Sequence, residues 1–118
     1  MDFLQRLSEI QPDLETVLTI GVFDGVHVGH CHLLNEVVNK AGNEYIPAVM
    51  TFTNHPATVI NSDLTIQSLS TPEQKTRLIS NQGIKLIVQI PFDHELASVS
   101  AAIFAKALSD HLKIAGLV

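Results

Sequence analysis

Apolar residues along this chain switch repeatedly between the period of a strand and the period of a helix. That switching restricts the fold more than any other feature of the sequence. "TVLTIGVF" (Thr16 to Phe23) is a short β-branched run broken by a glycine, which reads as a buried strand. From Val28 the spacing changes: Leu33, Leu34, Val37, Val38 and Ala41 recur at helical intervals, and Gly42 supplies a stop. "YIPAVMTF" (Tyr45 to Phe52) is a second strand, with Pro47 near its start. A long irregular stretch, "TNHPATVINSDLTIQSLS", follows up to Ser70, and a loop of that length in a compact domain usually carries function.

The next helix is announced by its ends. Thr71 suits the N-cap with Gln74 reaching back to it, Pro72 suits the first helical position, and Gly83 closes the segment. "IKLIVQI" (Ile84 to Ile90) is a third strand, and "SVSAAIFAKALSDHL" is a third helix, capped by Ser98 or Ser100. "KIAGLV" opens a fourth strand. Strands that alternate with helices and are apolar on both faces predict a parallel sheet covered on both sides. The expected fold is therefore α/β: a Rossmann-like parallel sheet of about four strands in a single domain spanning residues 1–118. Because Val118 falls within the fourth strand, the domain is expected to be incomplete at its C-terminal end.

Composition excludes several classes of function. The net charge is −5 and the seven Lys and Arg are scattered, so no basic field is present to hold a nucleic-acid backbone. One cysteine, Cys31, excludes an internal disulfide framework and fits a reducing compartment. The start "MDFLQRL" lacks the apolar core of a signal peptide, and no stretch approaches the ~20 apolar residues of a membrane span. A cytoplasmic protein is expected, with no nucleic-acid or membrane partner; oligomeric state is not readable.

The stretch "GVFDGVHVGHCHLL" (Gly21 to Leu34) runs from the first strand into the first helix, the place where such folds bind phosphate. Gly21 and Gly25 permit a turn that β-carbons would obstruct, and Gly29 lets a phosphate approach the backbone. Unpaired N–H groups and the positive end of the helix dipole suit an anion. His27 and His30 are three residues apart, so both can point to one side as hydrogen-bond donors, while His32 lies on another face. In nucleotidyl transfer, stabilising charge at the α-phosphorus dominates the chemistry, and this stretch supplies donors and a dipole.

His27-Val28-Gly29-His30 is an HxGH motif, similar to that of the nucleotidyltransferase superfamily. More narrowly, "GVFDGVHVGHCHLL" resembles the G-x-FDGVH-x-GH-x-x-LL stretch of the FMN adenylyltransferase domain of bacterial FAD synthetases. Three further segments agree in order: "TFTNHP" (Thr51 to Pro56), "LSTPEQKTRLISNQGI" and "PFDHELASVSAAIFAKAL". The resemblance implies transfer of AMP from ATP to FMN, giving FAD and pyrophosphate, with Mg²⁺. It implies that His27 and His30 bind the ATP phosphates and stabilise the transition state. Gly21, Phe23, Asp24, Gly25 and Gly29 would shape the nucleotide pocket, and Thr51, Asn54, His55 and Pro56 would lie towards flavin or phosphate. The chain departs from the family at Cys31, where Gln is common, and at Gln74, where the first acid of an EK pair is usual. The family's later DF-x-FG and S-S-T-x-I-R segments, and the riboflavin kinase domain usually fused behind, are not in the sequence.

Competing readings of single residues stay beside this one. A zinc site from His27, His30 and Cys31 is disfavoured because positions 30 and 31 diverge by about 100° on a helix. Asp24 could simply cap the turn, and His55-Pro56 could be a rigid turn. Phe52, Phe92 and Phe104 read as core, His94 and His111 as surface, and Cys31 as a buried inert thiol. Lys75 and Arg77 read as a solvated helix face. A catalytically incomplete nucleotide- or flavin-binding module, or another HxGH transferase, is the rival to the enzyme reading.

Overall fold

The computed structural model describes residues 3–23, 28–54 and 71–118. Chain order within them is α1 (Phe3–Ser8), β1 (Thr16–Ile20), α2 (Val28–Ala41), β2 (Ile46–Phe52), α3 (Pro72–Asn81), β3 (Leu86–Ile90), α4 (His94–Ser98), α5 (Ala101–Leu112) and β4 (Ile114–Leu117). The strands form a parallel sheet in the order β3-β2-β1-β4. The expected Rossmann-like α/β architecture is present, with helices on both faces.

Adjacent residues in the central strands feed opposite cores, as a period of two dictates. Leu18, Ala48, Met50 and Val88 join Leu7, Leu96, Leu108 and Leu112 on one face. Val17 and Val49 join Leu34, Val37, Ala41 and Ile79 on the other. Helices α2 and α3 thus cover one side, and α1, α4 and α5 the other. Each fully buried Leu or Val contributes about 1.5–3 kcal/mol relative to exposure, so these two layers are the main source of stability.

Local signals explain most helix boundaries. Gly42, at φ +56°, ends α2 in the left-handed region that a glycine adopts without a β-carbon penalty. At the start of α3 the capping box forms: Gln74 N donates to Thr71 Oγ1 at 3.1 Å, and Thr71 N donates to Gln74 Oε1 at 3.0 Å. Of the two serines offered as caps for α5, Ser100 serves, accepting from Ile103 N at 3.2 Å. The residues before it form the separate short helix α4, whose N-cap Asp93 accepts from Leu96 N at 2.8 Å. The extended backbone of Val99 separates the two helices.

Several elements differ from the sequence reading. The first strand ends at Ile20; one further ladder bond is made at Gly21, and Val22 and Phe23 leave the sheet. The third strand begins at Leu86. Helix α1 was not expected; six residues are too short for a periodic signal, but α1 packs on α5 and fully buries Leu7. The irregular stretch at 55–70 lies outside the described residues.

The strand order sets the position of a site. Successive strands β1, β2 and β3 move outward in one direction, and β4 then returns to the far side of β1. The reversal falls between β1 and β4, and in open parallel sheets ligands bind beyond the carboxyl ends of the strands at such a reversal. The first turn of α2 follows from the carboxyl end of β1.

Candidate functional site

Three consecutive residues beyond β1 build this end of the sheet. Gly21 prolongs the strand ladder by one bond, its N–H donating to the Met50 carbonyl at 3.1 Å. Val22 packs against the first core and Phe23 is buried in the second, so the chain turns over between them. The turn requires φ +54° at Phe23, a left-handed value that is sparsely populated for aromatic residues. Such strain persists only where the surroundings over-determine it.

The surroundings do so here. The Phe23 ring lies so close over Gly21 that a β-carbon there would come within 2.8 Å of Cε2 and 3.0 Å of Cζ. Its opposite contact is the His30 imidazole, met edge-on with centroids 5.2 Å apart and planes at 66°. His30 is half-buried in the first turn of α2 and its Nδ1 is buried. Gly29, beside it, is exposed. Phe23 therefore acts as a brace for the histidine, and Gly21 makes room for the brace.

Carbonyl groups at the strand ends are gathered by one cation. Lys75, in the first turn of α3, is 5% exposed. Its Nζ donates to the Val22 carbonyl at 2.8 Å, the Phe52 carbonyl at 2.9 Å and Thr51 Oγ1 at 3.5 Å. The solvated face expected for Lys75 and Arg77 holds for Arg77, which is exposed, and fails for Lys75. Lys75 stands four residues before the fully buried Ile79, so the two share a helix face. That spacing was the sequence signal that could have found it.

Two of the residues expected near flavin or phosphate face inward. Thr51 is fully buried and its Oγ1 donates to the Val22 carbonyl at 2.8 Å. Asn54 closes a pair of bonds with one backbone: Nδ2 donates to the Phe92 carbonyl at 2.8 Å, and Phe92 N donates to Oδ1 at 2.7 Å. Both residues lace neighbouring strand ends together. Asp24, Gly25, His27, His55 and Pro56 lie outside the described residues. His32 is exposed on another side of α2, and Cys31 is half-buried. Phe52 and Phe92 pack edge to face at 5.4 Å in the first core, with Phe104 against the same cluster.

The profile of the FAD synthetase family matches residues 9–118. The chain belongs to the FAD synthetase family. It is 31% identical over 113 residues to the bifunctional riboflavin kinase/FMN adenylyltransferase of Escherichia coli K12, covering 94% of this chain and 36% of that protein. It is 33% identical over 98 residues to a FAD synthetase of Listeria monocytogenes, covering 81% of this chain and 38% of that one. The bifunctional enzyme of Bacillus subtilis is 34% identical over 88 residues, covering 73% and 28%. This member of the family thus spans between 28% and 38% of the length of these relatives. Among solved structures, one titled a macrolide-efflux protein from Streptococcus pneumoniae superposes with a TM-score of 0.79 at 24% identity, over 93% of this chain and 44% of that chain. That likeness establishes the fold.

Proposed function

We propose that this chain is an FMN adenylyltransferase domain, a nucleotidyltransferase that moves AMP from ATP to FMN. A phosphate oxygen of FMN attacks the α-phosphorus of ATP; the new P–O bond gives FAD, and the bond to the β-phosphate breaks to release pyrophosphate. The observation that carries the reading is the position of His30: in the first turn of a helix, beyond the carboxyl end of a central parallel strand, in a chain of the FAD synthetase family. A helix start there presents N–H groups and a dipole to an anion, and an imidazole donor adds to them.

Negative charge grows on the α-phosphoryl and leaving oxygens as the bond exchange proceeds, so preorganised donors lower the barrier. His27 and His30 take that role. Gly29 admits the phosphates to the backbone, while Gly21, Phe23, Asp24 and Gly25 shape the nucleotide side. Thr51, Asn54, His55 and Pro56 shape the flavin side, with Thr51 and Asn54 acting through the strand ends they tie. Among the described residues no group of three His, Cys, Asp or Glu side chains could hold a metal ion. In this reading Mg²⁺ enters as part of the substrate, Mg-ATP, held by phosphate oxygens and water, as this ion prefers. ATP and FMN are the partners. No helix among the described residues is long and apolar enough to cross a membrane, in keeping with a cytoplasmic enzyme.

The test is FAD formation from FMN and Mg-ATP by the 118-residue chain, separated by chromatography and read by flavin fluorescence, with His30→Ala beside it. Turnover is expected, and a loss of about 100-fold or more in the variant, the range seen when one such donor is removed. A folded chain that binds ATP or FMN without turnover would favour the binding-module reading. Equal turnover by His30→Ala would remove the histidine from the mechanism.

A further inference from the structure

Lys75 stands outside every role given above, yet its ammonium is buried. Taking a charge out of water is costly unless it is fully hydrogen-bonded, and an aliphatic side chain beside Ile79 would pack on that face without the cost. What the ammonium accomplishes is specific. It and the Thr51 hydroxyl both donate to one acceptor, the Val22 carbonyl, at 2.8 Å each. That carbonyl belongs to the peptide plane leading into Phe23, and the orientation of that plane fixes the torsion φ of Phe23. Two donors on Val22 therefore hold Phe23 at its left-handed φ of +54°. Held there, the Phe23 ring meets the His30 imidazole edge to face, with centroids 5.2 Å apart.

We propose that Lys75 is a positioning residue for nucleotidyl transfer: through the Val22–Phe23 peptide it fixes the orientation of the His30 imidazole. The proposal rests on the adenylyltransferase reading for its kinetic consequence, and on contacts alone for the mechanical link. Lys75 itself is placed by sequence-local chemistry. Its own N–H bonds to the Thr71 carbonyl at 2.9 Å in the turn set by the Thr71–Gln74 capping box. Gln89 Nε2 donates to the Pro72 carbonyl at 3.2 Å and ties the same turn to β3. The ammonium thus extends from a helix turn that is capped locally and tied to β3.

Lys75→Met keeps the length and apolar stem and removes the donors. In the 118-residue chain, kcat for FAD formation should fall about 10- to 100-fold with the ATP KM changed by less than about 3-fold, since misplacing a reacting group weakens the transition state more than the ground state. In a His30→Ala background the same substitution should cost less than about 2-fold, because the group it positions is gone. The ring signals of His30, followed by NMR, should shift in Lys75→Met. Unmoved His30 signals in a folded Lys75→Met chain, or losses that multiply in the double variant, would overturn the proposal. Should Lys75→Met not fold, Thr51→Val removes the second donor to Val22 and Phe23→Leu removes the brace; each must shift the same signals, or the link is absent. An unmodified chain that makes no FAD would sink the adenylyltransferase reading and the kinetic half of this one. The His30 signals would still decide whether Lys75 holds the ring.

Discussion

A methyl group at position 21 would collide with an aromatic ring that cannot easily move. The Phe23 ring, 3% exposed, is enclosed by the second core on one side and His30 on another. A flexible side chain end could swing away from the 2.8 Å contact, but a ring packed this way must push its neighbours. Gly21→Ala is therefore expected to lower stability by about 1–3 kcal/mol, the usual range for overpacking, measured as a shift in the urea midpoint at constant slope. It should also depress FAD formation, because the displaced ring carries His30 with it. A midpoint unchanged from the parent would mean that the ring yields freely and that Gly21 is not reserved for it.

Among the elements, α3 reaches the strand ends through its start. Its capping box satisfies two backbone donors at one helix end, and the same turn carries Lys75. Thr71→Ala is expected to cost about 1 kcal/mol in chemical denaturation, with Thr71→Ser restoring most of it. An alanine variant as stable as the parent would show that the box contributes nothing net. This helix also shows where the sequence was legible and where it was not. Its cap, its first-turn proline and the closing glycine are local signals, readable because they satisfy groups within a few residues. The burial of Lys75 was missed because a cation on a helix is normally solvated, and its acceptors at Val22 and Phe52 belong to strands far away in the chain. The motif alone singled out Gly21 and His30, and both lie against the Phe23 ring. The left-handed turn at Phe23 was not, since the residues around it read as a continuing strand. The two hydrogen bonds between Asn54 and the Phe92 backbone were not legible either, because they depend on the neighbouring strand end, which no local pattern announces.

At the scale of the whole molecule, the fold followed from alternating periods, and the strand order puts its reversal between β1 and β4, where open parallel sheets generally bind ligands. A net charge of −5 gives no general attraction for a polyphosphate, so binding has to come from local donors. Binding to the native state alone raises its stability by linkage, about 2.7 kcal/mol at a ligand concentration 100-fold above Kd. For a chain of this length that corresponds to roughly 10 °C in Tm. Saturating Mg-ATP should produce such a rise in a thermal melt, and His30→Ala should need more nucleotide to reach it. A melt indifferent to Mg-ATP at millimolar concentration would argue against a formed nucleotide site.

The ammonium tie from α3 to the end of β1 has a consequence for the order in which the molecule is assembled. Lys75 meets the Val22 carbonyl across 53 positions of sequence, and Thr51 meets it across 29. During synthesis, the segment bearing His30 leaves the ribosome long before either partner is available to set it. On the proposed role of Lys75, the turn at Phe23 is fully braced only once α3 has docked. The segment bearing His30 is thus made early in the chain and is tied in place by residues made later.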